Sequence, residues 1–397
     1  MKVKHVVLRN TSRFATRDPF AGSFSLHRGF EAPLPPALRV EIEEIDTRKL
    51  SGIAANSDVV AIAPVMPMKL IAPVAMDIPA PQSAKPLWGI NATGADTSPF
   101  TGIDSVVAVL DTGIDASHDA FSGVQLTERD FTGEGNGDTN GHGTHCAGTI
   151  FGRDVQGTRI GIARGVKKAI VGKVLDREGG GSTDQILDGI LWAVDQGATV
   201  ISMSLGMDFP GLVRDLTEKG FPVELATSRA LEAYRANTML FERLASLIRT
   251  HGNFTQSTVI IAAAGNESRR NLHPDWKIAV APPAVAEGII SVGAVGEDEG
   301  GFSIAPFSNT GANVVAPGVG ILSAAAGGGV RALSGTSMAT PHVAGIAALW
   351  SEKILQTGPL SSGILSAKLI GMAGVRDLKP GFDPFDVGAG MVRAPQG

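Results

Sequence analysis

A chain of 397 residues with formal net charge −5, 43% hydrophobic and 18% charged residues, can bury one large core and a smaller appended domain. Its mild acidity argues against nucleic acid as a partner, since that calls for a clustered basic surface. A single cysteine excludes an internal disulfide, so the fold does not depend on an oxidising compartment.

The first residues, MKVKHVVLRNTSRF, hold only a three-residue apolar run, Val6 to Leu8. A secretory signal needs roughly 7–15 apolar residues, so a cytoplasmic protein is expected. The stretch NTSRFATRDPFAGSFSLHRGFEAPLPP contains no clear helix. After it, ALRVEIEEIDTRKLSGIAANSDVVAIAP predicts a strand (Arg39 to Ile45), a short helix (Thr47 to Ala55) and a strand (Val59 to Ala63). Residues 1–70 therefore read as a small α+β region. Five prolines between Pro64 and Pro81 argue against a membrane helix and predict an extended linker over 71–86.

From residue 87 to 397 the pattern is that of one α/β domain. Short runs rich in Val and Ile, apolar on both faces, predict strands at 105–111, 169–176, 198–206, 257–266 and 288–295. Between them Ile186, Ile190 and Val194 recur at helical spacing behind a capping Ser182, and a second helix covers roughly Glu224 to Arg249. The fold class is α/β, a mostly parallel sheet with helices on both faces. In such sheets chemistry gathers at the carboxyl ends of the strands.

Four stretches carry polar residues there. Asp111 ends the apolar strand SVVAVLD; alone it reads as a turn aspartate. His142, between glycines in NGHGTHCAGTI, opens a run of small residues, and its imidazole is expected to project from a helix start. His142 and His145 do not make a zinc protease motif, which needs H-E-x-x-H. His145 reads as a hydrogen-bonded core residue and Cys146 as a small buried one. Ser337, in SGTSMATPHVAG, stands at a helix start, with Pro341 expected in the first turn or so, where amides lack helical partners. Asn266 follows a strand and a glycine in AAAGNES, and its amide can face the same crevice.

Together, in the order Asp, His, Asn, Ser, these segments resemble the subtilisin family (subtilases) of serine peptidases. VAVLDTGID, HGTHCAGTI and GTSMATPHVAG match its signatures, SMSLG and AAAGN lie between them, and DVGAGMVRA matches its terminal segment, so the likeness runs from about Leu87 to Ala394. The resemblance implies a subtilisin-like three-layer sandwich and a serine endopeptidase acting on polypeptides through an acyl-enzyme intermediate. It implies Ser337 as nucleophile, His142 as general base, Asp111 as its orienting carboxylate, and Asn266 with the Ser337 amide as oxyanion donors. Ser204, Leu205 and Gly206 would pair with substrate backbone on one side, Gly181 and Ser182 on the other. Residues 1–70 would be an inhibitory prodomain whose last strand, VVAIAPVMPMKL, threads the cleft until self-cleavage near Leu70.

The stretch between SMSLG and AAAGN is longer than the compact members need, and a lengthened surface helix is its plainest reading. No cofactor is required. Asp154 and Gln156 could offer oxygens to calcium, but Ala120 stands where a carboxylate is expected, and a hard cation wants about 6–8 oxygens, so no metal is assigned. The rival from another class is a catalytically idle protein-binding module; the presence of all four residue types weighs against it. A nucleotide-binding reading of GEGNGDTNGHG lacks the G-x-G-x-x-G register, and an esterase would carry G-x-S-x-G where this chain has G-T-S-M-A.

Overall fold

The structure, a computed structural model, describes residues 2–10, 38–75, 87–252 and 257–397. The stretch without a clear helix and most of the proposed linker lie outside the described residues. The N-terminal region forms β1 (Lys2–Asn10), β2 (Leu38–Asp46), α1 (Leu50–Ala54) and β3 (Val59–Pro64), an antiparallel sheet in the order β2-β1-β3. The strand-helix-strand unit is as the alternation predicts. The sequence reading missed β1. Val6, Val7 and Leu8 are all fully buried, so this central strand lacks the alternation that marks a half-exposed one.

Next come β4 (Pro67–Leu70), α2 (Trp88–Ala92), β5 (Val106–Asp111), β6 (Gln125–Asp130), α3 (His142–Phe151), β7 (Lys168–Lys173), β8 (Gly180–Ser182), α4 (Thr183–Asp195), β9 (Val200–Met203) and β10 (Leu205–Met207). α5 (Phe209–Glu218) and α6 (Val223–Gly252) make up the long insertion. The chain closes with β11 (Val259–Ala263), β12 (Ile289–Asp298), β13 (Gly301–Ile304), β14 (Val314–Pro317), β15 (Ile321–Ala324), β16 (Val330–Leu333), α7 (Thr336–Leu355), α8 (Ser362–Gly371) and α9 (Pro384–Val387).

The main sheet runs β13-β12-β11-β9-β5-β7-β6, with β14 also paired to β12. Its pairings are parallel except β12 with β13. Period-two alternation divides the core. Val107, Val109, Val259 and Ile261 face the cluster built on α3 and α7, whereas Ala108, Leu110, Ile260 and Ala262 face the one built on α4 and α6. Apolar burial on both faces is why these strands read as continuous hydrophobic runs. α7 is hydrophobic almost all round and buried over most of its length, as a central core helix should be.

The N-terminal sheet docks on the same α4/α6 side. Val6, Leu8 and Ala63 share the apolar cluster of Ile186, Leu240 and Leu244, and Asn237 Nδ2 on α6 donates to Pro64 O at 2.8 Å. Among the described residues no helix is long and apolar enough to cross a membrane.

Candidate active site

Asp111 ends β5 and His142 opens α3, each 1% exposed. His142 Nδ1 donates to Asp111 Oδ1 at 2.8 Å, and the same oxygen accepts from Thr112 N at 2.8 Å. The helix start must press against the turn leaving β5: a Cβ on Gly143 would lie 2.1 Å from Gly113 O, so only glycine fits. Burial alone would push the His142 imidazolium down, but the Asp111 carboxylate outweighs it and holds the imidazolium well above the usual histidine range.

A residue the sequence reading passed over fastens this pair. Asp138, buried just before α3, accepts four hydrogen bonds: from Thr112 Oγ1 (2.9 Å), Gly141 N (2.7 Å), Thr144 N (2.8 Å) and Thr144 Oγ1 (2.6 Å). Thr112 Oγ1 in turn accepts from Gly143 N at 3.0 Å. One carboxylate thus ties the residue beside Asp111 to both flanks of His142, and caps α3 from outside. An aspartate four residues before a glycine-flanked histidine was the available signal. Its bond to Thr112 is a tertiary contact and left no trace in the chain.

Ser337, fully buried, is the second residue of α7, in the turn whose amides have no partner within the helix. Pro341 is not in that first turn. It lies one turn deeper, four residues after Ser337, so the missing N–H is the one that would have bonded Ser337 O. Two side chains from other elements replace it at 3.4 Å each, Cys146 Sγ and Ser204 Oγ. Cys146 is buried as expected, and burial pushes its thiol up. It lies beneath the site rather than in remote packing, with Sγ 3.7 Å from His142 Nδ1. His145 donates into the core, from Nε2 to Ile321 O at 2.9 Å, and burial keeps its ring neutral with a pKa of about 3.

Asn266 follows β11 and is oriented by Thr336. Its Oδ1 accepts from Thr336 N and Thr336 Oγ1, both at 2.9 Å, which leaves Nδ2 facing the cleft. There it meets the chain itself. β4 lies antiparallel between β10 and β8, with Leu70 opposite Leu205, Lys69 opposite Gly206 and Gly180, Met68 opposite Gly181 and Pro67 opposite Ser182. Ser182 also begins α4, donating from N and Oγ to Gln185 Oε1. At the end of β4 and beyond it, Leu70 N donates to Gly179 O (2.7 Å), Ile71 N to Ser204 O (3.1 Å) and Val74 N to Ser334 O (2.7 Å). Ser337 Oγ donates to Ile71 O at 2.6 Å, and Asn266 Nδ2 to Ala72 O at 2.9 Å. His142 Nε2 is buried without a partner among the described residues.

Ser337, Asn266, Ser204 to Gly206 and Gly181 to Ser182 thus all meet residues 67–72 of the same chain, and Cys146 bridges His142 to the Ser337 carbonyl. Among the described residues the one group of three possible metal-binding side chains is Asp111, His142 and Cys146, and their ligand atoms already face one another in hydrogen bonds. Asp154 is paired with Arg164 at 3.2 Å rather than gathered with other carboxylates.

Comparison with known proteins matches residues 102–390 to the subtilase family. The chain belongs to that family. An intracellular serine protease of Paenibacillus polymyxa is 37% identical over 249 residues, covering 61% of this chain and 65% of that protein. Subtilisin-like protease 6 of Trichophyton soudanense is 33% identical over 300 residues, covering 70% of this chain and 61% of its own. A thermophilic serine proteinase of Bacillus sp. (strain AK1) is 34% identical over 251 residues, 62% of this chain and 52% of that relative. The match therefore spans under two thirds of each relative's length. The subtilase match begins beyond β4, so the strand in the cleft lies outside it.

Proposed function

We propose that this subtilase is a serine endopeptidase carrying its own N-terminal segment as an internal inhibitor. The observation that carries the reading is the position of Ile71: its carbonyl oxygen receives the Ser337 hydroxyl while residues 67–70 pair with β8 and β10 as an added strand. In the reaction, Ser337 Oγ attacks the carbonyl carbon of a substrate peptide bond as its proton passes to His142 Nε2. Asp111 stabilises the imidazolium that forms. The oxyanion falls to Asn266 Nδ2 and the Ser337 amide. His142 then protonates the leaving amine, and water resolves the acyl-enzyme by the same steps in reverse order. Main-chain pairing along Ser204–Gly206 and Gly180–Ser182 gives the enzyme a broad grip on extended polypeptide.

In the intact chain the two reacting groups address neighbouring carbonyls, Ser337 that of Ile71 and Asn266 that of Ala72. Attack needs both on one carbonyl, so the segment is a plug until Ile71 O moves onto the Asn266 amide. Cleavage would then fall between Ile71 and Ala72, one residue beyond the Leu70 that the sequence suggests. The names of the relatives, a serine protease, a subtilisin-like protease and a serine proteinase, support the chemistry, and the Paenibacillus relative's name supports an intracellular setting.

The test is the intact mass of wild type and Ser337→Ala after incubation with a fluorophosphonate probe. Wild type should lose residues 1–71 and gain one adduct, while the variant stays full-length and unlabelled. Equal labelling of both proteins would mean the nucleophile is another serine. A wild type freed of residues 1–71 by an added protease yet still unlabelled would make it an idle member of the family.

A further inference from the structure

Because β4 lies in the cleft as an added strand, its side chains report what the cleft is built to receive. Alternate residues of a strand share a face. Asp208, two residues beyond Gly206, therefore lies diagonally across from Lys69, the residue opposite Gly206. Lys69 Nζ stands 3.2 Å from Asp208 Oδ1, the lysine side chain 40% and the aspartate 23% exposed. This carboxylate is held in place from two directions. Asp208 N donates to Pro67 O at 3.0 Å, and Oδ1 accepts from Gly211 N at 3.2 Å, capping the first helix of the insertion.

We infer that Asp208 is a specificity residue: it selects polypeptides with a lysine or arginine two positions before the residue whose carbonyl meets Ser337. The inference rests on the peptidase reading above and gives the start of the insertion a function, as an acidic lip on the substrate cleft. A partly exposed ion pair changes affinity by only about two- to fivefold, and a like charge in its place costs a similar factor. Lysine should thus be preferred to glutamate by roughly tenfold, less in high salt.

The experiment takes full-length protein after incubation, counts active sites with the fluorophosphonate probe, and compares two quenched peptides. Both read Met-Pro-Met-Xaa-Leu-Ile-Ala-Ala-Val, with lysine or glutamate at Xaa. Wild type should prefer the lysine peptide by roughly tenfold in kcat/KM, mostly through KM. Asp208→Asn keeps an oxygen for the helix cap and should shrink the preference to about twofold or less, and Asp208→Arg should reverse it. If both peptides are cut with the same ratio by wild type and Asp208→Asn, the inference fails and the peptidase reading stands. If protein that has lost residues 1–71 cuts neither peptide and takes no label, the peptidase reading fails and this inference with it.

Discussion

The two halves of the site are in different states. On the Asp111–His142 side the contacts come from the sheet-and-helix domain itself: the carboxylate on the imidazole, Thr112 on the carboxylate, and Asp138 holding Thr112, Gly141 and Thr144. On the Ser337–Asn266 side the protein has oriented both groups, yet each spends its cleft-facing donor on residues 71 and 72 of its own chain. On the proposed peptidase reading, the difference is that of a general base already built and a nucleophile still withheld.

The comparison breaks most readily at Asp111. Asp111→Asn should lower kcat by on the order of 10⁴, because the imidazole loses the partner that fixes its tautomer. The pH profile gives the sign. In wild type kcat/KM should rise with pH as the imidazolium gives up its proton, with a midpoint above the ordinary 6.5. With Asp111 neutral, burial is opposed by Cys146 without the aspartate's help, and the midpoint should move down. A midpoint unmoved by Asp111→Asn would mean that another group titrates.

On the other half, Asn266→Ala should cost about 10²–10³ in kcat with KM little changed, the size found for this kind of donor in a subtilisin. The same substitution removes the bond to Ala72 O, so binding of the intact plug should loosen while catalysis falls. Mass spectrometry of residue 1–71 retention alongside peptide hydrolysis separates the two effects. Unchanged retention of residues 1–71 together with unchanged peptide hydrolysis would mean that Asn266 serves neither the plug nor the oxyanion.

A smaller effect sharpens the boundary of the preformed half. Asp138→Asn loses an acceptor for Thr144 or Thr112 and should lower kcat by roughly tenfold while destabilising the fold by about 1–3 kcal/mol, the cost of a buried donor left unpaired. A melting curve beside steady-state kinetics checks it; a full loss of stability with unchanged kcat would make Asp138 a purely structural clamp. Smallest of all, Cys146→Ala should change kcat by less than about threefold, since Ser204 Oγ still reaches the Ser337 carbonyl and a neutral thiol at 3.4 Å is a weak donor.

The features legible in the chain alone are local. A polar residue after an apolar strand, a histidine between glycines and a serine opening a buried helix are readable because strand ends and helix starts are set by nearby residues. The sheet-and-helix layers follow from local periods, as does a strand-helix-strand unit before the linker, and the resemblance to the subtilases rests on short contiguous motifs. The rest comes from packing. That Pro341 frees the Ser337 carbonyl for Cys146 and Ser204, that Thr336 aims the Asn266 amide, and that Asp138 joins Thr112 to Thr144 all depend on partners brought together by packing. The one-residue offset in the cleft, Ser337 on Ile71 and Asn266 on Ala72, is likewise a fact of register. Hydrogen bonds between residues far apart in the chain leave no period in it. Their positions are chosen by the close packing of the core, which one-dimensional pattern does not record.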